Sequence, residues 1–142
     1  MKTFVDTSAF YALADGDDQY HEQAKTVYES LKDETQLITT DYVLLECWYL
    51  MNNHLGRDEA LRFWDGLTSG AAEVVDLDLL IRNKARKIIE DCSDQDFSLV
   101  DATSFALMEQ GGIERAFSFD SHFRIYRFGE EDEDYFEVVP AN

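Results

Sequence analysis

Apolar positions along the chain recur with two periods. "KTFVD" (2–6), "QLITT" (36–40), "AEVVDL" (72–77), "RAFSFD" (115–120) and "YFEVV" (135–139) are short and rich in β-branched and aromatic residues, the pattern of buried strands. Between them the spacing lengthens to that of helices. In "YHEQAKTVYESLKDE", Tyr20, Ala24, Val27, Tyr28 and Leu31 share one face. In "DLLIRNKARKIIEDC", Leu80, Ile81, Ala85, Ile88 and Ile89 do the same. Further helices are predicted at "SAFYALAD", stopped near Gly16, and from a capping Asp41 to about Leu55, stopped by Gly56. "RDEALRFWDGL" and "SLVDATSFALMEQ" complete the set, the second ending at Gly111 and Gly112. "SHFRIY" reads as a short helical turn, and the acidic "GEEDEDY" run as a solvated loop. Strands alternating with helices predict an α/β fold with a mainly parallel sheet and helices on both faces. The length of 142 residues predicts one domain, 1–142.

The stretch "YVLLECWYLM" (42–51) places Glu46 among nine apolar or aromatic residues. An ionised carboxylate is rarely fully buried without a partner, so Glu46 calls for a buried Arg, water or a metal. Other acids fall where an α/β sheet binds ligands, beyond the carboxyl ends of its strands. Asp6 ends the first strand, Asp120 ends the fourth, and Asp101 opens a helix three residues after Ser98. Each has a structural alternative. Asp6 and Asp120 suit helix N-caps, and "SLVD" matches a capping box. Converging carboxylates repel one another and persist only with bound cations or raised pKa values. Hard oxygen donors without a nearby His or Cys pair suit Mg²⁺ or Mn²⁺. Such a cluster hydrolyses phosphodiesters.

Composition limits the alternatives. No apolar run reaches membrane-spanning length, and Asp6 interrupts the N-terminal stretch before a signal-peptide core forms, so a cytoplasmic protein is expected. Cys47 and Cys92 are isolated and predicted to be free thiols. Thirty acids against twelve bases give a net charge of −18, a field that repels polyanions unless cations intervene. Basic residues cluster at Arg82–Lys87, where ordinary helix-surface charge is expected, and at Arg124 and Arg127. The second group follows Asp120, and with Phe123 and Tyr126 it suits a phosphate contact and a base stack. His122 reads as a helix-start residue without a catalytic role. No Ser-His-Asp set and no Gly-rich phosphate loop is evident.

"FVDTSAFYAL", "DYVLLECWYLM", "SLVDATSFALMEQGGIERAFSFDSHF" and "FEVVP" together resemble a PIN domain of the VapC-like toxin ribonuclease type, from Lys2 to about Val139. Asp6, Glu46, Asp101 and Asp120 match that family's four acids, and Ser8 matches its D-x-S hydroxyl. The resemblance implies a three-layer α/β/α fold and a Mg²⁺- or Mn²⁺-dependent endoribonuclease. It also implies an RNA substrate, a homodimer and a small cognate antitoxin. Family members often carry a polar or acidic residue two positions before the fourth acid; Ser118 stands there, which leaves a second metal open. Asp96 reads as a loop acid near the helix start. Two rivals compete: a PIN-like RNA- or protein-binding module without catalysis, and a receiver-type signalling domain. The receiver reading lacks its strand-end Lys.

Overall fold

The computed structural model describes residues 1–141. Its five strands are β1 (Lys2–Val5), β2 (Gln36–Thr40), β3 (Glu73–Val75), β4 (Arg115–Phe117) and β5 (Glu137–Val139). They form one sheet in the order β3-β2-β1-β4-β5, and every neighbouring pair is parallel. The helices are α1 (Thr7–Ala14), α2 (His21–Leu31), α3 (Asp41–His54), α4 (Arg57–Gly66), α5 (Leu79–Asp91), α6 (Leu99–Gly111) and α7 (His122–Ile125).

The strand residues alternate between two cores, as the pleat requires. Phe4, Ile38, Ala116 and Val138 pack with Ile81, Ala85, Phe105 and Phe123 of α5, α6 and α7. Val5, Leu37 and Phe117 pack with Ala9, Ala12, Ala24 and Leu31 of α1 and α2. This makes three layers, with both faces of the sheet buried. α3 joins the two cores, placing Val43, Cys47 and Met51 in the first and Leu44 in the second.

The connections explain where a site can form. The chain walks from β1 to β3 in one direction, then returns through α5 and α6 to lay β4 on the other side of β1. The segments leaving β1 and β4 therefore diverge and open a crevice beyond their carboxyl ends.

Several elements are shorter than their sequence patterns. β4 stops at Phe117, so Asp120 lies in the loop leading to α7 and not at a strand end. Backbone pairing persists one residue further, where Ser118 N donates to Val139 O at 3.1 Å. β3 stops at Val75. α4 runs into a π-type turn at Leu67–Ala71 that the pattern does not announce. The apolar run in α3 is not buried all round, since Leu45 is 59% and Tyr49 66% exposed.

Gly112 ends α6 in the left-handed region, with φ 64° and ψ 31°. Its amide donates back to Glu109 O, and the following Ile113 N reaches Met108 O at 2.9 Å. A side chain in that conformation is strained by about 1 kcal/mol. Gly112→Ala is expected to lower the unfolding free energy by that amount, read as a lower denaturation midpoint with an unchanged m-value.

Candidate active site

Asp6 follows β1 directly and caps α1, because an extended residue before a helix can turn its side chain onto the first free amides. Its Oδ2 accepts from Ser8 N (3.3 Å), Ser8 Oγ (2.7 Å) and Ser118 Oγ (2.9 Å). Oδ1 receives no protein hydrogen bond among the described residues. Ser8 Oγ also accepts from Phe119 N, and Ser118 Oγ from Asp120 N. Two hydroxyls thus tie the loop after β1 to the loop after β4. Ser118, where the family pattern has a polar or acidic residue, spends its hydroxyl on orienting Asp6.

Asp101 lies at the third position of α6 and completes the capping box. Its Oδ2 accepts from Ser98 N at 3.1 Å, and Ser98 Oγ accepts from Asp101 N at 3.0 Å. The same Oδ2 meets His122 Nδ1 at 2.8 Å. The capping role and a place in the acid cluster are therefore compatible in one residue. As in Asp6, one oxygen carries the hydrogen bonds and the other makes none to protein among the described residues.

Asp120 accepts from His122 N at 2.9 Å, an Asx-type turn that opens α7. Its carboxylate also lies 3.4 Å from His122 Nδ1. Asp101, Asp120 and His122 each present a ligand-type atom, and these atoms lie within 4.8 Å of one another. Glu46, in the second turn of α3, is half-buried and faces the same cleft. Asp6 and Glu46 line this cleft, of about 440 Å³, with Asp101, Asp120 and His122, but stand outside the tight trio.

Burial and mutual repulsion strain the acids. Desolvation pushes the Asp6 carboxyl up to about 6, helped by the charges of Asp101 and Asp120 and opposed by the two serine hydroxyls. Burial also raises Glu46 and Asp101, each with a contribution from the Asp120 charge. His122 loses from burial, but its bond to Asp101 and the nearby acids outweigh this and raise it. Thr7 Oγ1 is buried beside Glu46 and Cys47 without a hydrogen bond of normal geometry. The unused carboxylate oxygens, an orphaned hydroxyl and an acid-rich oxygen donor set suit a hard divalent cation.

Other sequence expectations fall elsewhere. Arg124 and Arg127 do not line the cleft. Arg124 donates to Pro140 O, while Arg127 binds backbone carbonyls of residues 124–126 and lies over the Tyr135 ring at 5.2 Å. Phe123 and Tyr126 are buried in the core and cannot stack a base; the helical turn points them inward. Asp96 is exposed and reaches His122 only as a distant charge. Three basic residues of α5 pair within the surface, Lys84 with Glu109, Arg86 with Glu90 and Lys87 with Asp91, and Arg82 donates to the Asp78 carbonyl. His122 is the residue that sequence reasoning passed over. Its signal was the "DSH" spacing, which places a ring beside the preceding carboxylate only when a turn forms. Cys47 and Cys92 are free thiols.

Residues 3–129 match the PIN domain family. The 23S rRNA-specific endonuclease VapC20 of Mycobacterium tuberculosis (strain H37Rv) is 32% identical over 127 residues, 89% of this chain and 95% of that protein. A crystal structure of M. tuberculosis VapC20, described as a sarcin-ricin loop cleaving toxin, superposes with a TM-score of 0.84 at 31% identity, covering 90% of this chain and 97% of that one. VapBC2 from Rickettsia felis, solved on a DNA fragment from its promoter, gives a TM-score of 0.69 over 97% of this chain and 98% of its own, at 12% identity, a likeness of fold alone. The match along most of the chain, the five-stranded parallel sheet and the acids beyond β1 and β4 agree: the chain belongs to the PIN-domain family.

Proposed function

We propose that this protein is an endoribonuclease that hydrolyses RNA phosphodiester bonds with a bound Mg²⁺ or Mn²⁺, as the toxin of a toxin–antitoxin pair. The observation that carries this reading is the convergence of Asp6, Glu46, Asp101, Asp120 and His122 on one cleft. The 32% identity to a 23S rRNA-specific endonuclease supports a structured ribosomal RNA loop as the substrate class. The likeness to VapC20, described as a toxin, supports a cognate antitoxin as partner, and the family resemblance a homodimer. No helix among the described residues is long and apolar enough to cross a membrane, in keeping with a cytoplasmic site of action.

Asp101 and Asp120 would hold the cation, with Asp6 and Glu46 acting directly or through water. Bound there, it supplies a water of lowered pKa and neutralises charge at the phosphate. The chain's own residues prepare the cleft. Ser8 and Ser118 fix Asp6, and the capping box fixes Asp101. His122 bridges Asp101 and Asp120 and, when protonated, offsets part of their repulsion.

The test is cleavage of a sarcin–ricin loop RNA hairpin with Mn²⁺, with Mg²⁺ and with EDTA. Cleavage that needs the metal and stops in EDTA is the expected result. No cleavage and no rise in Tm with Mn²⁺ would replace this reading with the non-catalytic binding module.

A further inference from the structure

Tyr20 and Phe119 come from distant parts of the chain and meet as a parallel stack, with ring centroids 4.6 Å and planes 10° apart. Both line the acid cleft. Most aromatic pairs in this protein fill the core, but Tyr20 is 39% exposed. Its place at the start of α2 suggests a core residue from spacing alone, yet the ring is partly exposed and stacks on Phe119, which packs against the α1–α2 core.

The stack is fixed relative to the acids. Phe119 N donates to Ser8 Oγ at 2.9 Å, and Ser8 Oγ donates to Asp6 Oδ2 at 2.7 Å. Tyr20 N donates to Asp18 Oδ1, and Tyr20 O accepts from Ala24 N, both at 2.8 Å. Tyr20 and Phe119 also line a second hollow of about 210 Å³, which contains Gln23 and Arg124. The pair thus stands as a ridge between the acid cleft and the hollow. Arg124 bonds a neutral carbonyl, that of Pro140, and no carboxylate pairs with it among the described residues.

A net charge of −18 leaves little electrostatic attraction for RNA. Base stacking does not depend on that charge. Resting on the ribonuclease reading above, we infer that the Tyr20–Phe119 stack is a nucleobase platform. One base near the scissile phosphate lies on the open part of the Tyr20 ring, and the strand continues across the ridge toward Arg124. Tyr20 is a positioning residue for the RNA.

The experiment measures binding of a fluorescein-labelled sarcin–ricin loop hairpin to the full chain by anisotropy in Ca²⁺, alongside kcat and KM for cleavage in Mn²⁺. Tyr20→Leu keeps the apolar bulk but cannot stack. It is expected to raise Kd and KM by roughly five- to a hundredfold, the range of one base–aromatic stack, with kcat little changed. Tyr20→Trp is expected to bind like the wild type. In a series of hairpins with single abasic residues, one position should reproduce the loss in the wild type and add nothing in Tyr20→Leu. Equal Kd for wild type and Tyr20→Leu would overturn the platform, as would equal losses in the Leu and Trp variants. Absence of wild-type cleavage in Mn²⁺ would count against the ribonuclease reading, while the binding comparison still decides the platform.

Discussion

Asp101→Asn is expected to lower RNA cleavage by more than about a hundredfold while the protein stays folded. Partners that merely support metal ligands cost ten- to a hundredfold when removed, and a ligand should cost more. The fold should survive because the amide oxygen of Asn can still accept from Ser98 N, preserving that half of the capping box. His122 gives an independent readout. Its elevated titration depends on the Asp101 bond and the surrounding acids, so its NMR titration should move down in the variant. Cleavage that persists in Asp101→Asn would move the chemistry away from this cleft. Lost cleavage with an unmoved His122 titration would show that the Asp101–His122 contact is absent in solution.

Metal-free protein is expected to lose stability between pH 4 and pH 7. Asp6 sits at about 6 when folded, against an ordinary 3.8 for an aspartate. The folded state therefore binds this proton more tightly than the unfolded chain. That stabilisation is complete below the unfolded value and is lost as pH rises through about 6. A difference of this size is worth roughly 3 kcal/mol. Glu46, Asp101 and His122 are raised too, so they act in the same direction. Thermal melts in EDTA should show Tm falling by several degrees between pH 5 and pH 7.5. Mn²⁺ should restore Tm at pH 7.5 and do little at pH 5, where protons occupy the same oxygens. Asp6→Asn should make the metal-free profile shallower, leaving the part that Glu46, Asp101 and His122 carry, and weaken the Mn²⁺ effect. A metal-free Tm that is level or rises with pH would contradict the buried, repelling carboxylates.

The function and the site fit together through connectivity. β1 and β4 are neighbours in the sheet, yet the chain leaves them toward opposite sides. That switch creates the crevice, and Ser8 and Ser118 close it from below by sharing Asp6. The acids cost stability where they stand, which is the usual position of residues kept for binding or chemistry.

The alternating strand and helix periods were enough to determine the α/β architecture, because burial on both faces of a parallel sheet leaves a pattern in every strand. The acids at Asp6, Asp101 and Asp120 were legible as a group for a related reason: strand ends and helix starts are local features. Glu46 stood out as a lone carboxylate in an apolar run. Tertiary structure alone decided the rest. The exposed side of α3, with Leu45 and Tyr49, depends on which neighbours pack there and not on composition. Phe123 and Tyr126 went into the core because a four-residue turn fixes its facing only through contacts with α6. His122 joined Asp101 across 21 positions of sequence, and Tyr20 met Phe119 across the fold. Such pairings are set by where two distant loops are brought together, and no local pattern records that distance.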